Sequence, residues 1–458
     1  MSSQVAASYA PDIYCIRLKS VFPAFADPLR PQGFETPQQA GFFIHEWLHY
    51  LHNNSTIHGF TAYSHALMLW SNIRPTLNSD GICLGDEALP AEHFSDILKH
   101  YRHLSQARKP QSNNLKKSLY LSDVCLESCK KQAFDIDGDE KYSCTVLICE
   151  YSVGGRRQEN KIKIGCHEIV EYLASTLESK FVSLCGEAPI QSALDPYQLV
   201  KSLARLLASS LTESTIMRCA ILSLQYPDPP HYLPNLLHMA HEMNVAGQNP
   251  DLELERMASN HIRANLPVME KTVDIINEVF PIDEPFAYAV KYSIELMMAN
   301  YKYRIIEPFF EIKLIEDFAK QGGAAFENAI EKFGIGFLIQ ERDGSSDGFK
   351  RDLIYDISKA AKQNPELSEG QRVWQAAFTY ILSLFRTVPD RLTQPRQLRC
   401  PFFTACTADY RRDNPEICSS EPWKSQYTEH SKICSFGRAM INSRFNGESF
   451  IASEGGIE

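Results

Sequence analysis

Three residues at one spacing carry the clearest chemistry in the chain: His45, Glu46 and His49, in the run His45-Glu46-Trp47-Leu48-His49. On a helix, imidazoles four residues apart lie one turn apart on the same face and can share a Zn²⁺. The carboxylate beside them is placed to take a proton from water held on that ion. His52 falls on the same face, but about 10.5 Å along the axis from His45, too far for ligands that each sit about 2.0–2.1 Å from one tetrahedral ion. The third ligand is therefore expected from elsewhere. A second set of metal-binding residue types lies near the C-terminus, where Cys400, Cys406, Cys418 and Cys434 are separated by 5, 11 and 15 residues in loop-like sequence. Four thiolates suit a second, structural Zn²⁺ or a [4Fe–4S] cluster. The close C-x₂₋₄-C pairs of a zinc knuckle are missing, and His430 is a spare ligand candidate.

The elements that must hold these residues are written around them. Thr36-Pro37-Gln38-Gln39 reads as an N-cap, a Pro at the first helical position and a Gln closing a capping box, so a helix is expected from residue 37. Ala40, Phe42, Phe43, Ile44, Trp47, Leu48 and Leu51 give that helix apolar surface on more than one side, as burial requires, and Asn53-Asn54-Ser55 ends it. A second helix is expected over Thr56–Asn72 and a strand over Asp12–Phe22. The β-rich runs at 144–151 and 161–164, with Gly154-Gly155 between them, predict a hairpin that leads into a helix after Gly165. Asp135-Ile136-Asp137-Gly138-Asp139-Glu140 hints at a calcium loop, but its Gly comes two positions early and Val146 stands where the closing Glu belongs, so a polar turn is expected. Periodic apolar stretches at 268–280, 284–300, 305–320 and 371–386 predict a helical bundle. The expected fold class is α+β, predominantly α-helical, in three regions: 1–190 with the metal-binding helix and inserted hairpin, 191–388 mainly helical, and 389–458 with the four cysteines.

Composition bounds the host molecule. With 458 residues, 44% of them hydrophobic, the chain can bury a large core. A net charge of −10 and a pI near 5.8 give it no general basic field, which disfavours nucleic acid and anionic membrane as partners. No apolar run reaches 18 residues, and the first eight residues lack the basic start and apolar core of a secretory signal, so a cytoplasmic protein is expected. The 13 cysteines, odd in number and scattered, fit reduced thiols and metal ligands better than a disulfide framework.

On the His45–His49 motif the chain resembles the zincin metallopeptidases. The metzincin extension is ruled out, because His52 stands where its Gly belongs and Ser55 where its last His belongs. The gluzincin branch takes its third zinc ligand from a Glu on a later helix. Within Gly165-Cys166-His167-Glu168-Ile169-Val170-Glu171-Tyr172 the resemblance points to Glu171, with Glu168 and Glu178 as alternatives. Gluzincins often carry an Asp four residues after that Glu to orient a zinc histidine; here the position is Ser175. The resemblance implies a zinc-dependent hydrolase that cleaves a protein or peptide. Glu46 would assist the attack of a zinc-bound water, and the hairpin would serve as a wall for extended substrate. Two other readings stand beside it: a non-catalytic regulatory or interaction protein with structural metal, and a protein organised around a C-terminal iron–sulfur cluster. A di-iron bundle would need a second E-x-x-H, and none stands at a clear helical site.

Overall fold

Helix α1 (Pro37–Asn53) forms as its sequence dictates: the Thr36 hydroxyl accepts from the Gln39 N–H at 3.2 Å, and Pro37 opens the first turn. The Gln39 side chain turns back one residue further than a capping box, accepting from the Glu35 N–H at 2.9 Å. The structure is a computed structural model that describes residues 6–22, 33–115, 118–135, 143–281, 286–342, 351–355, 359–388, 390–428 and 433–444. Residues 136–140 of the calcium-like run and His430 lie outside the described residues.

Strands β1 (Ala7–Ala10) and β2 (Cys15–Leu18) precede α1; α2 (Ile57–Ile73) and α3 (Ala91–Arg102) follow it. Strands β3 (Val124–Asp135), β4 (Ser143–Val153), β5 (Arg156–Arg157) and β6 (Ile162–Ile164) then lead into α4 (Cys166–Leu184). The helical stretch comprises α5 (Leu199–Leu207), α6 (Glu213–Ser223), α7 (Pro229–Val245), α8 (Pro250–Val279), α9 (Ala287–Arg304), α10 (Phe310–Gln321) and α11 (Gly323–Phe333). After β7 (Phe337–Gln340) and β8 (Leu353–Tyr355) come α12 (Lys359–Gln363), α13 (Pro365–Ser383), α14 (Asp409–Asp413), α15 (Pro415–Ser420) and α16 (Ser435–Ser443). The fold is thus α+β and predominantly helical. Among the described residues, no helix is long and apolar enough to cross a membrane.

Two sequence expectations are corrected. The strand expected over Asp12–Phe22 is shorter: Pro11, lacking an N–H, opens a 3-10 turn through Ile13, Tyr14 takes a φ of 49°, and only Cys15–Leu18 is extended. The expected hairpin is the edge of a larger sheet. β6 pairs antiparallel with β4, but β4's long partner is β3, whose run Glu127-Ser128-Cys129-Lys130-Lys131-Gln132 is too polar to read as a strand because much of it faces solvent. The other sheet has the order β1-β2-β7-β8 and joins the N-terminal strands in parallel to a segment more than 300 residues later (Cys15↔Phe337).

The two largest apolar cores among the described residues run from Ala7 to Leu338 and from Ile57 to Met440, so neither is confined to one of the three sequence regions. α1 lies in the first, with Trp47 and Leu48 fully buried and the Trp47 indole N–H donating to Gly334 O at 3.1 Å. Beyond its C-terminal end, the fully buried Arg304 donates to Ser55 O (2.6 Å) and Ser55 Oγ (2.7 Å) while paired with buried Glu311. His52 Nε2 lies 3.4 Å from that same Glu311, so the histidine excluded from the metal set on spacing is engaged elsewhere. Against its other face α1 packs antiparallel on α4, and Gly41 permits the approach. A Cβ there would meet Val182 Cγ2 at 3.0 Å and Glu178 Cγ at 3.2 Å.

Candidate metal centre

Helix α4 starts at Gly165, and Glu168 caps it, accepting the Gly165 N–H and the Gln111 N–H at 2.8 Å each. Burial pushes the Glu168 carboxyl up to about 7 despite these bonds. Its oxygens are committed to backbone, which removes it as an alternative ligand. One turn on, Glu171 faces α1. Its Oε2 lies 3.2 Å from His45 Nε2 and its Oε1 3.5 Å from His49 Nε2. One ligand atom from each of His45, His49 and Glu171 falls within 4.8 Å of the other two. Both imidazoles are buried.

The electrostatics fit a cation. Burial disfavours a proton on His45, yet hydrogen bonds to Glu171 and Glu178, helped by the charge of Glu46, hold its ring well above the usual histidine range. Burial likewise disfavours charge on Glu171, and His49 and His45 reverse this and hold it well below the usual carboxylate range. Carboxylates only accept, so both His45 nitrogens must donate when no ion is bound. A zinc ion on the Nε2 side would take the place of that proton, with two neutral imidazoles and one carboxylate as ligands, a known composition for zinc.

Glu178, the other alternative, meets His45 on the ring nitrogen that faces away from Glu171. Its Oε2 accepts from His45 Nδ1 at 2.9 Å, which fixes the tautomer and leaves Nε2 for the ion, while Gln38 Nε2 donates to its Oε1 at 3.2 Å. Residues 171, 175 and 178 lie on one helical face. Ser175 bonds Ser192 at 2.9 Å, and Glu178, one turn further on, is the residue that reaches His45 Nδ1. Glu178→Gln is expected to weaken zinc binding about 10–100-fold, measured by competition with a chromogenic chelator, while the helical content by circular dichroism stays unchanged.

Glu46 is half-buried and makes no hydrogen bond or ion pair among the described residues. Burial raises its carboxyl above the ordinary value; His45 and His49 oppose the rise, and Glu171 and Glu178 add to it. Three residues not singled out from sequence complete the surroundings. The Tyr197 ring lies 6.0 Å from that of His45, its phenol kept protonated by burial and by the charges of Glu171, Glu46 and Glu178. His167 Nε2 is 3.8 Å from Glu171 Oε1. Arg108 donates to Asn53 Oδ1 at 2.7 Å. His49, Glu171, His167 and Arg108 line a cavity of about 250 Å³ beside the ligand set. The only sequence signal for His167 was its i,i+4 relation to Glu171; Tyr197, 26 residues beyond Glu171, had none.

The hairpin strand nearest α4 does not offer a free edge at its centre. Asn113 brackets Lys163, donating to its carbonyl at 3.1 Å and accepting its N–H at 2.8 Å, so an extended peptide would have to displace Asn113 to pair there. At the other end of the chain, Cys400, Cys406, Cys418 and Cys434 are free thiols that line one cavity of about 930 Å³. No family model, no curated protein and no solved structure matches this chain.

Proposed function

We propose that this chain is a zinc-dependent hydrolase, similar to the gluzincin branch of the zincins, that cleaves a peptide bond in a protein or peptide. The observation that carries the reading is the convergence of His45, His49 and Glu171 at one point, with the carboxylate of Glu46 close enough to feel their charges and making no hydrogen bond among the described residues. Structural zinc sites are closed by four protein ligands, whereas catalytic ones keep a position open. Three ligands beside a cavity support the catalytic reading over a regulatory protein with structural metal.

Zinc in this set would supply Lewis-acid activation of water and of the scissile carbonyl. The chain's own residues do the rest. Glu46 accepts the proton of the attacking water at its carboxylate, which the raised proton affinity of the buried group favours, and then gives it to the departing amine. Glu178 keeps the His45 ring in place through Nδ1, and Tyr197, whose ring lies 6.0 Å from that of His45, keeps its proton and offers a hydrogen bond to the carbonyl oxygen as charge builds there. Tyr197→Phe is expected to lower kcat by about 10²–10³-fold with KM and zinc content little changed, in steady-state assays on a cleaved peptide.

Metal removal tests the reading as a whole. Treatment with a zinc chelator should abolish cleavage of a denatured protein substrate, and one equivalent of Zn²⁺ per chain should restore it. Full activity in the chelated, metal-free protein would overturn the assignment.

A further inference from the structure

The four C-terminal thiols are brought to one place by separate devices. The Cys400 N–H donates to Cys418 O at 2.9 Å, tying the first loop to α15. Cys406 closes the turn after it through its N–H to Phe402 O at 2.7 Å. Cys434 is the N-cap of α16, its sulfur accepting from the Gly437 N–H at 3.4 Å. The Cys406 sulfur accepts from the Ala408 N–H at 3.4 Å, and the Cys434 thiol bonds Ser425 Oγ at 3.4 Å. Such N–H···S contacts orient thiolate ligands and offset their charge. The cavity wall adds cations. Arg351 donates to Cys406 O at 2.8 Å while its Nε–H is buried without a partner among the described residues, and the buried Arg411 stacks on Phe403 at 4.6 Å.

Distance separates the two metals that four thiolates could take. Sulfurs about 2.3 Å from one tetrahedral zinc are about 3.8 Å apart. Four irons form a core of their own, and cysteine sulfurs bound to its corners stand about 6.4 Å apart. Cys400 has Cys434, Cys406 and Cys418 among its charged neighbours, and Cys418 has Cys434 and Cys406. The four line one cavity of about 930 Å³, more room than a single tetrahedral ion needs and enough for a four-iron core.

We propose that Cys400, Cys406, Cys418 and Cys434 hold a [4Fe–4S] cluster, not a single zinc, and that this cluster organises the C-terminal segment. The set is chemically homogeneous, faces a cavity with room for a four-iron core, and is flanked by arginines that balance the net negative charge of a thiolate-bound cluster.

The test uses the full chain, purified anaerobically and reconstituted with ferrous iron and sulfide, then freed of excess reagent. The expected result is about four iron and four acid-labile sulfide per chain, with broad absorbance near 400 nm that bleaches with dithionite. Cys418→Ser and Cys434→Ser should each lower bound iron several-fold. Uptake of zinc at the cysteines with no iron or sulfide retained would overturn the proposal, as would wild-type iron content in both variants. The wild-type count decides even where a variant fails to fold. The outcome is independent of the hydrolase reading, since loss of zinc at His45, His49 and Glu171 leaves the iron count unchanged.

Discussion

Glu46→Gln is expected to bind zinc as the wild type does and to lose peptide hydrolysis by about 10²–10⁴-fold in kcat. Gln has nearly the shape of Glu but cannot accept the proton of the attacking water. Glu46 is no part of the converging ligand set and makes no hydrogen bond among the described residues, so the substitution breaks nothing that holds α1 in place. Its own burial disfavours the charged form, so the neutral amide should cost the fold little. Steady-state kinetics and zinc analysis on one preparation separate the outcomes. Unchanged kcat would remove Glu46 from the chemistry and favour a structural metal.

Glu171→Ala is expected to abolish both zinc retention and activity. The loss of zinc affinity should exceed the about 10–100-fold expected for losing a group that merely orients a ligand, because Glu171 is the sole anionic member of the set and its two oxygens face both imidazoles. Without it, His45 keeps only Glu178 as its carboxylate partner. Glu171→Gln keeps the volume and removes the charge, so a similar loss of zinc in that variant assigns the effect to the missing anion and not to a cavity. Zinc titration followed by competition with a chelator reads both. Wild-type affinity in the two variants would show that the third ligand lies elsewhere.

The legible part of the site was local. Thr36, Pro37 and Gln39 marked the start of α1, the His45–His49 spacing set two imidazoles on one face, and Glu171 stood one turn into a helix that a glycine began. Parts that depend on tertiary approach were not legible. Glu178 stood only as an alternative to Glu171, and the antiparallel packing permitted by Gly41 shows it reaching His45 from the Nδ1 side. Tyr197 is brought in by the turn before α5, which no periodicity announces. In the fold, β3 was hidden because a strand with an exposed, charged face lacks the apolar alternation that marks one. The pairing of β2 with β7 spans more than 300 residues, and no local pattern encodes such a contact.

Hydrolysis at the site formed by His45, His49, Glu171 and Glu46 would be read without ambiguity by peptide cleavage in ¹⁸O-labelled water. Zinc-loaded wild type and Glu46→Gln would each be incubated with a protein-derived peptide library and the new termini read by mass spectrometry. New carboxyl termini bearing ¹⁸O are expected from the wild type, with near absence from Glu46→Gln at equal zinc content. Equal sets of termini from the two proteins, or none from the wild type, would contradict it.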